Sequence, residues 1–214
     1  MARLLVVVCL GTVVLWPPAL WAQSPGETGG SPRVGDRYTY NMKDEITGEP
    51  KIGYIAVVTE VSDKEIVTSV SNPGRNASQV VVLDRDLNRI DDSTWKFKPN
   101  NAQGIRPPLA VGKTWRFEFD SRNTQSGAAF RTTGVSKVVA QETVTTPAGT
   151  FETFKIERHQ SEYNTIAQSR ITEVDSVIWY APKINRWVRR TFVTRFDKRL
   201  RSSTSEELAE YHRK

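Results

Sequence analysis

The chain has 214 residues, of which 38% are hydrophobic and 25% charged, with a formal net charge of +6. This length favours one domain with a sizeable core, because domains typically run to ~100–200 residues. A single cysteine, Cys9, excludes an intramolecular disulfide, so burial of apolar surface must hold the fold together.

Residues 1–22 read as a secretory signal. Arg3 supplies a positive start, Leu4 to Trp16 are almost wholly apolar, and Pro17-Pro18 break the run before the small residue Ala22. The run falls short of the ~20 residues that a membrane span needs. Cys9 lies inside it, whereas a lipid-modified cysteine sits at its end. The expectation is a cleaved, lipid-free protein in the periplasm of a Gram-negative bacterium, not an integral membrane protein. Residues 23–33, rich in Ser, Gly and Pro, read as a disordered leader, residues 34–201 as a single β domain and residues 202–214 as a helical tail.

From Val34 the pattern has period two. Val34, Tyr38, Tyr40 and Met42 share one parity and Arg37, Thr39, Asn41 and Lys43 the other, as in a half-buried strand. Lys51 to Val61 is apolar on both parities, and Ser62-Asp63-Lys64 connects it to a strand from Glu65 to Ser71. After the turn Asn72-Pro73-Gly74 comes Gln79 to Leu83. Asp84 to Asp92 then reads as a polar turn or a helical half-turn, and a loop leads through Trp95 and Phe97 to Pro107-Pro108. Val111 to Phe119 is the cleanest strand, with Trp115, Phe117 and Phe119 on one side and Thr114, Arg116 and Glu118 on the other. Phe130 to Glu142, Phe151 to Glu162, Arg170 to Tyr180 and Arg186 to Asp197 follow, for about nine or ten strands in all. Val34-Gly-Asp-Arg-Tyr-Thr-Tyr and Val111-Gly-Lys-Thr-Trp-Arg-Phe share a pattern that suggests two similar halves; a common way of starting a strand is the alternative.

The segment from Thr204 to Lys214 reads as the one helix, with Thr204 and Glu207 as a capping box and basic residues at its end. One short helix cannot cover so many strands. The expected fold is therefore all-β, a curled antiparallel sheet forming a half-barrel or open barrel, with a short C-terminal helix.

Two proline turns, Thr146-Pro147-Ala148-Gly149 and Ala181-Pro182-Lys183-Ile184, punctuate the last strands, and Gly149 is suited to a positive φ. Pro147-Ala148-Gly149-Thr150-Phe151, followed by Trp179-Tyr180-Ala181-Pro182 and preceded by Pro108-Leu-Ala-Val-Gly-Lys-Thr-Trp115, resembles a signature of exported bacterial proteins of unassigned function. That resemblance names no activity. At the level of fold alone it implies likeness to the curled sheets of periplasmic lipoprotein carriers, which hold acyl chains in a concave face.

The residues give little support for catalysis. His159 falls on the solvent parity and His212 near the chain end, which argues against a triad or a zinc site. Asp84-x-Asp86-x-Asn88 begins like a calcium loop, but Arg89 stands where the glycine is required and Trp95 where the glutamate is. No cofactor or metal is expected, and nucleic acid is a poor match for an exported protein. The leading expectation is a non-catalytic envelope protein that binds a lipid or other amphipathic ligand through Trp115, Phe117, Phe119 and Trp179. The alternative is an accessory module that pairs a basic edge strand, carrying Arg186, Arg189 and Arg190, with an anionic partner or another envelope protein.

Overall fold

In the computed structural model, residues 30–74, 77–99, 103–166 and 170–214 are described. The signal read at residues 1–22 and most of the leader read at residues 23–33 lie outside them. Twelve strands run in chain order: β1 (Arg37–Asp44), β2 (Pro50–Val61), β3 (Glu65–Ser71), β4 (Ser78–Asp84), β5 (Arg89–Asp91), β6 (Trp95–Lys98), β7 (Thr114–Asn123), β8 (Ala129–Thr146), β9 (Gly149–Asn164), β10 (Ile171–Ala181), β11 (Arg186–Phe196) and β12 (Arg199–His212). Each pairs antiparallel with its sequence neighbours, and β12 pairs with β1, so the sheet is a closed barrel.

This corrects the expectation of an open, curled sheet of nine or ten strands with a C-terminal helix. The supposed helix is β12, hydrogen-bonded to β1 on one side and β11 on the other. Glu206 and Leu208 turn inward with period two and are buried. Helix propensities differ by only ~0.7 kcal/mol per residue among ordinary residues. A strand that seals two open sheet edges outweighs them. The other two additions, β5 and β6, span three and four residues, too few for a period to show in the sequence.

The sequence echo reflects a repeated architecture. Gly35 N donates to Val58 O and Gly112 N to Val138 O, both at 2.8 Å; Val58 N donates to Asp36 O and Val138 N to Lys113 O, both at 2.9 Å. A β-bulge follows Val58 on β2 and Val138 on β8. Further on, irregular registers carry Leu83 onto Arg89 and Tyr180 onto Trp187. The barrel is thus built from two six-stranded halves, β1–β6 and β7–β12, with the same bends at corresponding places.

Inside lie two apolar clusters. Tyr38, Tyr40, Ala56, Val58, Ile66, Val188 and Leu208 belong to one, and Trp115, Phe117, Phe119, Val138, Phe154, Ile156 and Ile178 to the other. Both crowd toward the end of the barrel where β1 begins and β2 finishes. That end is closed by residues 103–113, which run between β6 and β7. Ile105 inserts into the second cluster, Gly104 N donates to Asn88 Oδ1 at 2.6 Å, and Ile105 N donates to Asp86 O at 2.6 Å. The β10–β11 connection, a 3₁₀ turn at Pro182–Ile184, closes the same end, and its Ile184 carbonyl accepts from the Tyr38 hydroxyl. Gly149, at the tip of the β8–β9 hairpin, has φ +131°, a backbone conformation that glycine alone adopts readily.

Leu208→Ala tests β12 directly. In the barrel it removes a fully buried side chain at the closing seam, and the stability loss should be about 2–5 kcal/mol by denaturant titration. A change of only a few tenths of a kcal/mol would mean that residues 204–214 stand off the barrel.

Candidate functional site: the barrel interior

Because side chains alternate across a strand, each strand sends one file of residues into the barrel. Burial within these files falls along the barrel. On β1 Tyr38 and Tyr40 are buried and Met42 is half-buried; on β3 Ile66 and Thr68 give way to half-buried Val70; on β4 Leu83 gives way to Val81 and then exposed Gln79. On β10 Tyr180, Ile178 and Ser176 are buried and Val174 and Thr172 are not. The file on β12 repeats this, from Leu208 and Glu206 to Thr204 and Ser202. Only β7 stays buried throughout, from Trp115 to Ser121. The barrel is filled at the closed end, and its inward residues become accessible toward the end carrying the β1–β2 and β3–β4 connections. At that rim Met42, Pro50, Lys51, Ile52 and Asn72 line a concavity of about 400 Å³.

Polar residues occupy the transition. Arg190, on the same side of β11 as Phe192, forms an ion pair with buried Glu206 and donates to the Tyr54 hydroxyl at 3.4 Å. Burial opposes the Arg190 charge, but Glu206 more than offsets it and the guanidinium is held firmly protonated. Burial likewise pushes the Tyr54 and Tyr40 hydroxyls well above the usual phenol range. Arg158, on the inward file of β9 after Phe154 and Ile156, donates to Ser136 Oγ at 3.0 Å and to the Gly104 carbonyl at 3.2 Å. Its guanidinium lies 5.3 Å from the centre of the Phe117 ring. Burial, with the Arg190 charge adding to it, pushes Arg158 down to about 10. Gly134 makes room for this stack: a Cβ there would stand 2.3 Å from Phe117 Cζ.

Of the residues singled out in the sequence, Trp115, Phe117 and Phe119 are brought together, packed in the second cluster at 4–5% exposure. Trp179 is not with them. It lies on the outer face of β10, where its indole donates to Glu142 Oε1 at 2.6 Å and Lys155 and Arg189 stack on its ring. Arg186, Arg189 and Arg190 do not form one surface. Arg189 turns outward to Glu207, Arg190 turns inward to Glu206, and Arg186 is buried against Tyr38 and Trp187. Nor is β11 an edge strand, since it pairs with β10 and β12, and this removes the basis for edge pairing with a partner. His159 is exposed and pairs with Asp175 at 2.7 Å; that hydrogen bond, joined by Arg195, holds the Asp175 carboxyl below its ordinary range. Asp84 caps its own turn, accepting from Asp86 N, Asn88 N and Asn88 Nδ2. Among the described residues no cluster of three or more His, Cys, Asp or Glu is arranged to hold a metal, and no helix is long and apolar enough to cross a membrane.

The residues that sequence reasoning missed are Arg158, Glu206 and Tyr54. A signal for the first two existed. Arg158 shares the parity of Phe154 and Ile156, and Glu206 that of Leu208, which places a charge in an apolar file.

A DUF3108-like family model matches residues 121–193. None of the curated proteins matches the chain. Among solved structures, the chain resembles a candidate lipoprotein from Parabacteroides distasonis, with a TM-score of 0.56 and 14% identity over 86% of this chain and 99% of that one. It also resembles a candidate exported protein with a YmcC-like fold from Bacteroides fragilis, with a TM-score of 0.55 and 15% identity over 87% of this chain and 99% of that one. At these identities the likeness is one of fold.

Two substitutions check this description of the interior. Trp115→Ala should cost about 3–5 kcal/mol in denaturant titrations, the range for deleting a large aromatic from a filled core; a much smaller loss would mean that Trp115 lines an empty cavity. Burial raises the Glu162 carboxyl above its ordinary value, although the Thr132 hydroxyl donates to it. The native state therefore holds this proton more tightly than the unfolded chain, and ionisation costs stability as pH rises from the unfolded carboxylate value through the native one. Glu162→Gln should raise the melting temperature at pH 7, by up to about 1 kcal/mol in stability. The gain should vanish below the ordinary carboxylate range, and a gain equal at both pH values would contradict a buried, ionised Glu162.

Proposed function

We propose that the protein is a non-catalytic envelope protein, exported to the periplasm, that takes an amphipathic ligand into the accessible end of its barrel. The observation that carries this reading is the gradient of burial along the inward files. Apolar residues that face the barrel axis, Met42, Val70, Val81, Val174 and Phe192, remain partly accessible, whereas the other end is filled and covered. A barrel with no ligand to hold has no need to leave such positions wet, because each buried apolar side chain contributes ~1.5–3 kcal/mol. Ligand sites commonly occupy the mouths of barrels and combine apolar walls with a few fixed polar groups.

The fold likeness to exported proteins supports the envelope placement, as does the signal read at residues 1–22. Phe117 and Phe119 serve in this reading as the packed wall behind the site. Trp115 is core support, and Trp179 steadies the outer face. The His159–Asp175–Arg195 group is a surface ion-pair network, and nothing about its geometry singles out a reaction.

A neutral apolar dye, N-phenyl-1-naphthylamine, tests the reading. Its fluorescence should rise saturably on addition of the purified protein. Phe192→Asp, which places a charge on the accessible wall, should weaken binding at least ~10-fold with the far-ultraviolet circular dichroism unchanged. Absence of saturable binding by the wild-type protein would overturn the reading.

A further inference from the structure

The charges where the filled and accessible parts of the barrel meet do not balance. Arg190 has Glu206. Arg186, 5% exposed, has a buried Nε without a hydrogen-bond partner, and among the described residues no carboxylate pairs with it. Its guanidinium carbon lies 4.2 Å from the centre of the Trp187 ring, and that of Arg190 lies 3.7 Å from the same centre. Arg158 has only neutral partners, the Ser136 hydroxyl, the Gly104 carbonyl and the Phe117 ring. Of the three guanidinium groups, only that of Arg190 pairs with a carboxylate among the described residues.

Other charges facing this region do not restore the balance. Arg89 and Asp92 form their own ion pair at 3.2 Å. Glu162 stands four residues beyond Arg158 on β9, ~13 Å along an extended strand, and accepts from Thr132. A cation removed from water without a counter-charge is costly, and proteins ordinarily avoid it by pairing. The missing partner is an anion. It must reach Arg158 through the accessible end, past the apolar positions Val174, Phe192, Val70 and Val81.

We propose that this layer receives the carboxylate of a single-chain amphiphilic acid, inserted head first. Arg158 is its direct partner, Arg186 and Arg190 supply further positive potential, and the acyl chain lies against the apolar files toward the mouth. The planar guanidinium fork matches a carboxylate in two parallel hydrogen bonds, which suits it to select an acid over a neutral lipid. The inference rests on the binding reading above and adds to it the ligand's charge and its orientation.

Fluorescence titration of the purified, delipidated full chain with cis-parinaric acid and with its methyl ester tests the inference. The acid should bind at least ~10-fold more tightly than the ester. Arg158→Gln should bring the acid to the level of the ester, and Arg158→Lys should keep part of the preference. If Arg158→Gln does not fold, the acid-to-ester ratio of the wild type and Arg158→Lys decides the matter. Equal binding of acid and ester by the wild type overturns the carboxylate site and leaves the amphipathic-ligand reading intact. An acid preference that survives Arg158→Gln overturns the role of Arg158. Failure of both probes to bind removes the inference and the reading together.

Discussion

The structure depends on the seam between β12 and β1. A sheet with no helix to cover it must bury its apolar face against itself, and closure does this while leaving no edge unpaired. Eight residues of β1, from Arg37 to Asp44, find partners between Thr204 and His212. These partners lie 160 residues or more away along the chain, so closure of the barrel is a long-range contact. Tyr38 and Tyr40, the first inward aromatics, are locked from the opposite wall: their hydroxyls donate to the carbonyls of Ile184 and Trp187.

Two halves with the same bends have been filled differently. At matching positions Tyr38 corresponds to Trp115 and Tyr40 to Phe117, and each pair faces the corresponding residues of the next strand: Ala56 and Ser136, then Tyr54 and Gly134. The change from Tyr54 to Gly134 is what admits Arg158 beside Phe117. In the first half the aromatic stack is closed by tyrosine on tyrosine, with ring centres 4.7 Å apart. In the second the space goes to a cation. Repetition of a backbone plan thus places an aromatic ring at one position and a cation beside the corresponding one.

Charge is handled differently on the two faces of the barrel. Outward arginines such as Arg131 and Arg195 have carboxylates at 2.7 and 2.5 Å and stand in water, where such pairs contribute little to stability. The inward ones are fewer, stack on aromatic rings and are short of carboxylates. Interior arginines held by neutral groups must offset their desolvation without a counter-charge.

Much of the fold was legible because sheets write their geometry into period two. Trp115, Phe117 and Phe119 announced one buried face, the proline turns at Pro147 and Pro182 marked where strands reverse, and the paired Val-Gly starts marked the halves. Local residues decide these features, since alternation and turn sterics act within a few positions. The C-terminal strand was not legible, because Glu206 to Glu210 are good helix formers and only pairing with β1 and β11 overrules them. The site was less legible still. Parity placed Arg158 and Glu206 in apolar files, but which of the basic residues between Lys183 and Arg201 turn inward depended on bulges that shift the register, as between Trp179 and Tyr180. A bulge exchanges the faces of everything beyond it, and it is fixed by how neighbouring strands meet. The sequence by itself determined an all-β protein with an aromatic core. Closure of the sheet, the pairing of Arg190 with Glu206 and the stacking of Arg158 on Phe117 were decided only by contacts between strands.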